Sequence, residues 1–161
     1  MNQEEARERA IETYYEGYRC QANGRLADAI SRYQQSIKLF PTAEAHTHLG
    51  WILGMQGKAE EAIEECYRAI ALDPDYGNPY NDIGYFLIET GRYGQAIPWL
   101  KRATAARRYD HFSFPYFNLG RCYEKLGPWT SAMDAYRKAL DISSDFESAR
   151  AALRRLQANL N

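Results

Sequence analysis

The sequence predicts an all-α solenoid of four helix pairs closed by a C-terminal capping helix, and three recurrences in one phase predict it. Gly17, Gly50, Gly84 and Gly120 return at intervals of 33, 34 and 36 residues. Seven residues after each stands a second glycine, at Gly24, Gly57, Gly91 and Gly127, and five further on an alanine, at Ala29, Ala62, Ala96 and Ala132. Self-similarity at such a period marks stacked helical units, each of which buries its apolar face only against its neighbours.

Residues 43–76 show how one unit works. His46, Leu49, Gly50 and Leu53 fall on one helical stripe, and Ala62, Cys66 and Ala69 on another. Gly57, between the stripes, can take the left-handed conformation that ends the first helix. Gly50 and Ala62 belong where the two helices touch, since larger side chains would hold the backbones apart. Asp73-Pro74 stops the second helix, because proline disfavours helix in the residue before it.

The other units follow in order. The first (residues 10–42) carries Gly17, Cys20, Ala29, Tyr33, Ser36 and Pro41, with Glu16 where an apolar residue is expected. The third (77–112) has Tyr80, Ile83, Gly84, Leu87, Ala96, Leu100 and Ala103, and is 36 residues long. Arg107-Arg108 replaces its Asp-Pro stop, so either the second helix runs on or residues 108–112 bulge. Pro98 costs that helix one hydrogen bond and bends it. The fourth (113–146) has Tyr116, Leu119, Gly120, Tyr123, Ala132, Tyr136 and Ala139. Over 146–160, Phe146, Ala149, Leu153, Leu156 and Leu160 form an apolar stripe opposite Arg150, Arg154, Arg155 and Gln157, as a cap on an otherwise exposed array end requires. Residues 1–161 read as a single repeat domain.

With large–Leu–Gly–large in its first helices and Ala–aromatic–Ala in its second, the sequence resembles the tetratricopeptide repeat family over residues 10 to 146. The resemblance implies a right-handed solenoid whose first helices line a concave side, and a role in binding other proteins. Side chains of those helices off the core stripe are then the candidate site: Tyr14, Tyr15, Tyr18 and Gln21 in unit one; Thr47, His48, Trp51 and Met55 in unit two; Asn78, Asn81, Asp82 and Tyr85, with Glu89, in unit three; Phe117, Asn118 and Arg121, with Phe114 and Lys125, in unit four. Trp51, Tyr85 and Arg121 each follow a signature glycine and are expected to stack along one row. Aromatic rings mixed with Asn, Arg and Met compose protein-binding surfaces, and an amide can both donate to and accept from an extended peptide.

Other functions find little support. Twenty Lys+Arg against 21 Asp+Glu leave no attraction to nucleic acid or anionic membrane. The opening residues MNQEEARERA lack the apolar run of a secretory leader, and no stretch nears the ~18 apolar residues of a membrane span, so a cytoplasmic protein is expected. Cys20, Cys66 and Cys122 match neither a disulfide framework nor a zinc spacing and read as packing thiols. His46 and His48 are two residues apart and point to different faces, His46 inward and His48 outward. Glu60, Glu61, Glu64 and Glu65 read as a solvated face with Glu64 and Arg68 paired. No enzyme and no cofactor is expected. Co-chaperones of the resembled family clamp the C-terminal carboxylate of heat-shock proteins with lysines, an arginine and asparagines. The corresponding slots here hold Tyr14, Tyr18, His48, Asn78 and Asp82, or Thr47, Trp51, Asp82, Phe114 and Asn118, with no cation in either register, which argues against that ligand. The expected function is an adaptor or chaperone-like module, with a chaperone for secreted substrates beside it. The alternative is a homo-oligomer assembled through the C-terminal helix or the repeat ends.

Overall fold

The computed structural model describes residues 1–160, which form nine helices and no strand. They are α1 (Gln3–Ala22), α2 (Leu26–Leu39), α3 (Ala43–Met55), α4 (Ala59–Leu72), α5 (Asn78–Glu89), α6 (Tyr93–Thr104), α7 (Ser113–Leu126), α8 (Trp129–Ile142) and α9 (Glu147–Asn159). The chain divides into two compact units, Met1–Pro74 and Asp75–Asn161.

In the first unit, α1–α2 and α3–α4 are helix hairpins, and α2 packs on α3. Each hairpin turns through a left-handed glycine, such as Gly57 at φ 82°. The signature glycine marks the closest approach of each pair. A Cβ on Gly17 would lie 2.9 Å from the Tyr33 ring, and one on Gly50 would lie 3.0 Å from the Ala62 carbonyl oxygen, as the small residues at the predicted crossing require. Glu16, the departure from the apolar pattern, pairs with Arg32 at 3.2 Å. Helix α1 begins two turns before the first repeat. Asn2 accepts from the Glu5 amide and Glu5 answers the Asn2 amide, a capping box that satisfies two otherwise orphan donors.

One acidic residue departs from the expected solvated face. Glu64 is exposed and meets Arg68 at 3.6 Å, but Glu65 is buried. Its carboxylate accepts from His46 Nδ1 at 2.6 Å and from Arg68, so the charge is enclosed with two donors. His46 is buried, as its stripe position predicts.

In the second unit, α5–α6 and α7–α8 are the hairpins, α6 and α5 pack on α7, and α9 packs on α8. A Cβ on Gly84 would lie 2.3 Å from Leu100, and one on Gly120 would lie 2.4 Å from Tyr136, so both rest flat against the second helix of their pair. The two extra residues of the third repeat enter a loop rather than a longer helix. Helix α6 stops at Thr104, and Tyr76 and Arg108 form an isolated parallel bridge. The Arg108 amide donates to Asp75 O, the Gly77 amide donates to Arg108 O, both at 2.9 Å, and the Arg108 guanidinium lies 4.0 Å from the Tyr76 ring centre. Tyr109 is buried against Gly77, where a Cβ would sit 2.6 Å away. Pro98 lies inside α6 on its exposed side.

Helix α9 covers α8 through Ala152 and Leu156, which pack with Ala132, Met133 and Tyr136. Of the predicted stripe, Ala149 and Leu156 are buried, Phe146 and Leu153 are half-buried, and Leu160 lies beyond the helix and is exposed. Cys20, Cys66 and Cys122 are buried and form no disulfide, and burial pushes the Cys122 thiol up to about 11.

Candidate functional site

In the first unit the candidate residues gather on α1 and α3 around one imidazole. The rings of Tyr14, Tyr18 and Tyr33 stand 5.5, 5.7 and 5.5 Å from His48. The Tyr33 hydroxyl donates to Gln21 Oε1 at 2.7 Å, and His48 Nδ1 lies 3.3 Å from the same oxygen. His48 is therefore half-buried rather than outward. Burial lowers its pKa, against the opposing charge of Glu44, which favours a neutral ring. Burial first, then Glu44, pushes the Tyr14 hydroxyl up to about 12. Tyr15 and Tyr18 remain 55% and 51% exposed. Met55 is exposed, Trp51 half-buried, and Thr47 buried with its hydroxyl donating to Ala43 O at 2.7 Å. The missed member is Ile11, exposed and one turn before Tyr15. With Arg7, Tyr14, Tyr15 and Glu44 it lines a cleft of about 310 Å³. Its place at i−4 from Tyr15 and i−7 from Tyr18 was a readable signal.

The candidates of the second unit join α5 to α7 through amides. Asn118 Nδ2 donates to Asn81 Oδ1 at 3.1 Å, and both residues are buried. Arg121 donates to Asn118 Oδ1 at 3.3 Å and to Glu89 Oε1 at 2.7 Å, and its guanidinium lies 5.8 Å from the Tyr85 ring centre, which brings together two of the three residues that follow the signature glycines. Asp82 is buried. Burial pushes its carboxyl up to about 8, with a hydrogen bond from Asn81 opposing, so the neutral acid is the favoured form at pH 7. Tyr109 is raised by burial and then by Asp82. Asn78 and Tyr85 are half-buried.

On the α7 side, Phe117 is half-buried at 4.9 Å from the Phe146 ring and 5.6 Å from Tyr136, and Phe146 lies 5.4 Å from the exposed Phe114. Phe146 was legible only as part of a cap, yet it extends this aromatic row. Glu124, also unread in the sequence, accepts from the Tyr136 hydroxyl at 2.8 Å and from Arg155 at 2.6 and 2.8 Å. Among the described residues no group of three or more His, Cys, Asp or Glu side chains could hold a metal, and no helix is long and apolar enough to cross a membrane.

Helix hairpins closed by a signature glycine, presenting rings and amides on their first helices, define a protein-interaction repeat. Sequence profiles of the tetratricopeptide repeat match residues 14–77 and 75–145. The chain belongs to the tetratricopeptide repeat family. Among curated proteins it is similar to the probable UDP-N-acetylglucosamine–peptide N-acetylglucosaminyltransferase SPINDLY of Hordeum vulgare, 27% identical over 125 residues. It is also similar to small glutamine-rich tetratricopeptide repeat-containing protein 2 of Mycosarcoma maydis, 29% identical over 70 residues. These alignments take in 74% and 43% of this chain but only 13% and 20% of the relatives' length. Among solved structures, Pseudomonas aeruginosa pilF matches with a TM-score of 0.86 at 24% identity, covering 98% of this chain and 70% of that one. YrrB, described as a tetratricopeptide protein with an unusual peptide-binding site, matches with a TM-score of 0.71 at 18% identity, covering 93% and 77%. At such identity these likenesses speak for the fold alone.

Proposed function

We propose that the chain is an adaptor or chaperone-like module that binds an extended or helical segment of another protein on the first helices of its pairs. The observation that carries this reading is the face of α1, where Tyr15 and Tyr18 stand half exposed beside Gln21 and a neutral His48. Rings of this kind supply anchoring area at low entropic cost, and amides satisfy a peptide backbone. The second unit adds Tyr85, Phe117 and Arg121, with Asn81 and Asn118 holding α5 to α7 behind them. YrrB, which shares the fold, is described as having a peptide-binding site. A cytoplasmic setting suits three buried cysteines that form no disulfide.

Assembly into a homo-oligomer through α9 has less support, because Leu156 and Ala152 are spent on α8. The test is photo-crosslinking in cells, with benzoylphenylalanine replacing Tyr18 on the exposed face or Tyr67 on α4. One or a few partners captured from position 18 and absent from position 67 is the expected result. Equal capture from both positions would remove the first-helix face from the proposal.

A further inference from the structure

The second unit holds a cleft of about 440 Å³ lined mostly by α7 and α9, with Ile88, Tyr93 and Tyr136 completing it, and its chemistry is more selective than an aromatic surface. Phe117 and Ala152 give it an apolar floor, and Arg121, Lys125 and Arg155 stand on its rim. Three cations there face two carboxylates, Glu89 and Glu124, an excess of one positive charge. Both Glu124 oxygens are taken, by Arg155 and by the Tyr136 hydroxyl, so this acid has little left to offer a basic ligand. Arg121 is the opposite case. Its bonds to Asn118 and Glu89 hold it in place yet use two of its five N–H donors. A guanidinium already fixed in position loses little entropy on accepting a carboxylate, which can engage two donors at once.

We infer that this cleft takes a partner segment in which an aromatic side chain is followed within two residues by an acidic side chain, the ring on Phe117 and the carboxylate on Arg121 and Lys125. The inference rests on the peptide-binding reading above and narrows it to one chemistry. A carboxylate here meets an uncompensated cation, whereas a lysine would add to the excess.

The test uses the full isotope-labelled chain and three acetylated, amidated decapeptide mixtures. Each carries a fixed Phe, with Glu, Gln or Lys fixed two positions later and the other positions degenerate. Amide and arginine side-chain resonances report both affinity and place. The Glu mixture is expected to bind about 3-fold tighter than the Gln mixture, the scale of a partly exposed ion pair, with Lys weakest and the shifts centred on Phe117 and Arg121. In Arg121→Gln/Lys125→Gln, with an otherwise superimposable spectrum, that preference should vanish while binding through Phe persists. Equal affinity for Glu and Gln, or Glu-dependent shifts away from the cleft, overturns the inference and leaves the peptide-binding reading standing. No shift with any mixture on either unit overturns both.

Discussion

The two compact units solve one packing problem with different electrostatics. In the first, Tyr33 reaches across its hairpin and donates to the amide oxygen of Gln21. In the second, Tyr136 occupies the same place, sixteen residues after the signature glycine, and donates to the carboxylate of Glu124. The neutral acceptor sits beside an imidazole that burial favours uncharged, whereas the charged one also accepts from Arg155 of α9. The second unit adds the Arg121–Glu89 pair and a buried carboxyl at Asp82. One hairpin template therefore yields a near-neutral face and a charged one. The choice falls on residues that the repeat signature leaves free.

That contrast breaks most visibly along the pH axis. Asp82 has a folded pKa of about 8 against an ordinary 3.8, so the folded chain keeps a proton that the unfolded chain releases between those values. The stability this contributes is complete below about pH 4 and is lost as pH rises to about 8, with a slope of at most about 1.4 kcal/mol per unit. Asp82→Asn should flatten the slope in urea denaturation between pH 5 and 8.5. His48 in the first unit acts in the other direction. Its lowered pKa contributes stability present above 6.5, which is lost as pH falls through the depressed value, and His48→Gln should remove that acid-side decline.

Packing separates the units by a smaller margin. A Cβ at Gly120 would press into the Tyr136 ring at 2.4 Å, against 2.9 Å for Gly17 and Tyr33. Gly120→Ala is expected to lose about 2 kcal/mol of unfolding free energy, and Gly17→Ala about 1 or less, since the gain in helix propensity offsets part of each clash. Tyr136→Phe strips a hydrogen bond from a charged acceptor and should cost about 2 kcal/mol, whereas Tyr33→Phe strips one from a neutral amide and should cost about 1. Thermal unfolding of the four variants ranks them directly. The smallest expected effect is that of Arg155→Gln. Arg155 is about half exposed, so its loss should remove under about 1 kcal/mol, and only at low salt.

The hairpins were legible because their requirements are local. A left-handed turn at Gly57 and a close crossing at Gly50 leave marks at fixed spacing in the chain. The faces were less so. Glu65 looks like a surface acid among acids, and its burial is made tolerable by two donors, Arg68 one turn on and His46 nineteen residues earlier in the chain. Asn81, Asp82 and Asn118 are off the core stripe yet buried, because α5 and α7 approach closely enough to pair their amides. His48 alternates with a core histidine and should point outward, but three tyrosine rings enclose it. The pairing of residues 75–77 with Arg108 has no local signature, since neither segment is strand-like alone. The capping box at Asn2 and Glu5 was readable, and it sets the start of α1 ahead of the repeat.

Gly57 has a consequence for synthesis. A Cβ there would meet no atom within 4 Å, so crowding plays no part in excluding the other amino acids. What excludes them is handedness, because a φ of 82° is natural to the mirror-image series. A D-alanine, introduced by chemical ligation, would adopt this φ without backbone strain. It would narrow the unfolded ensemble and add about 0.4–1 kcal/mol to stability, where L-alanine at the same position would subtract.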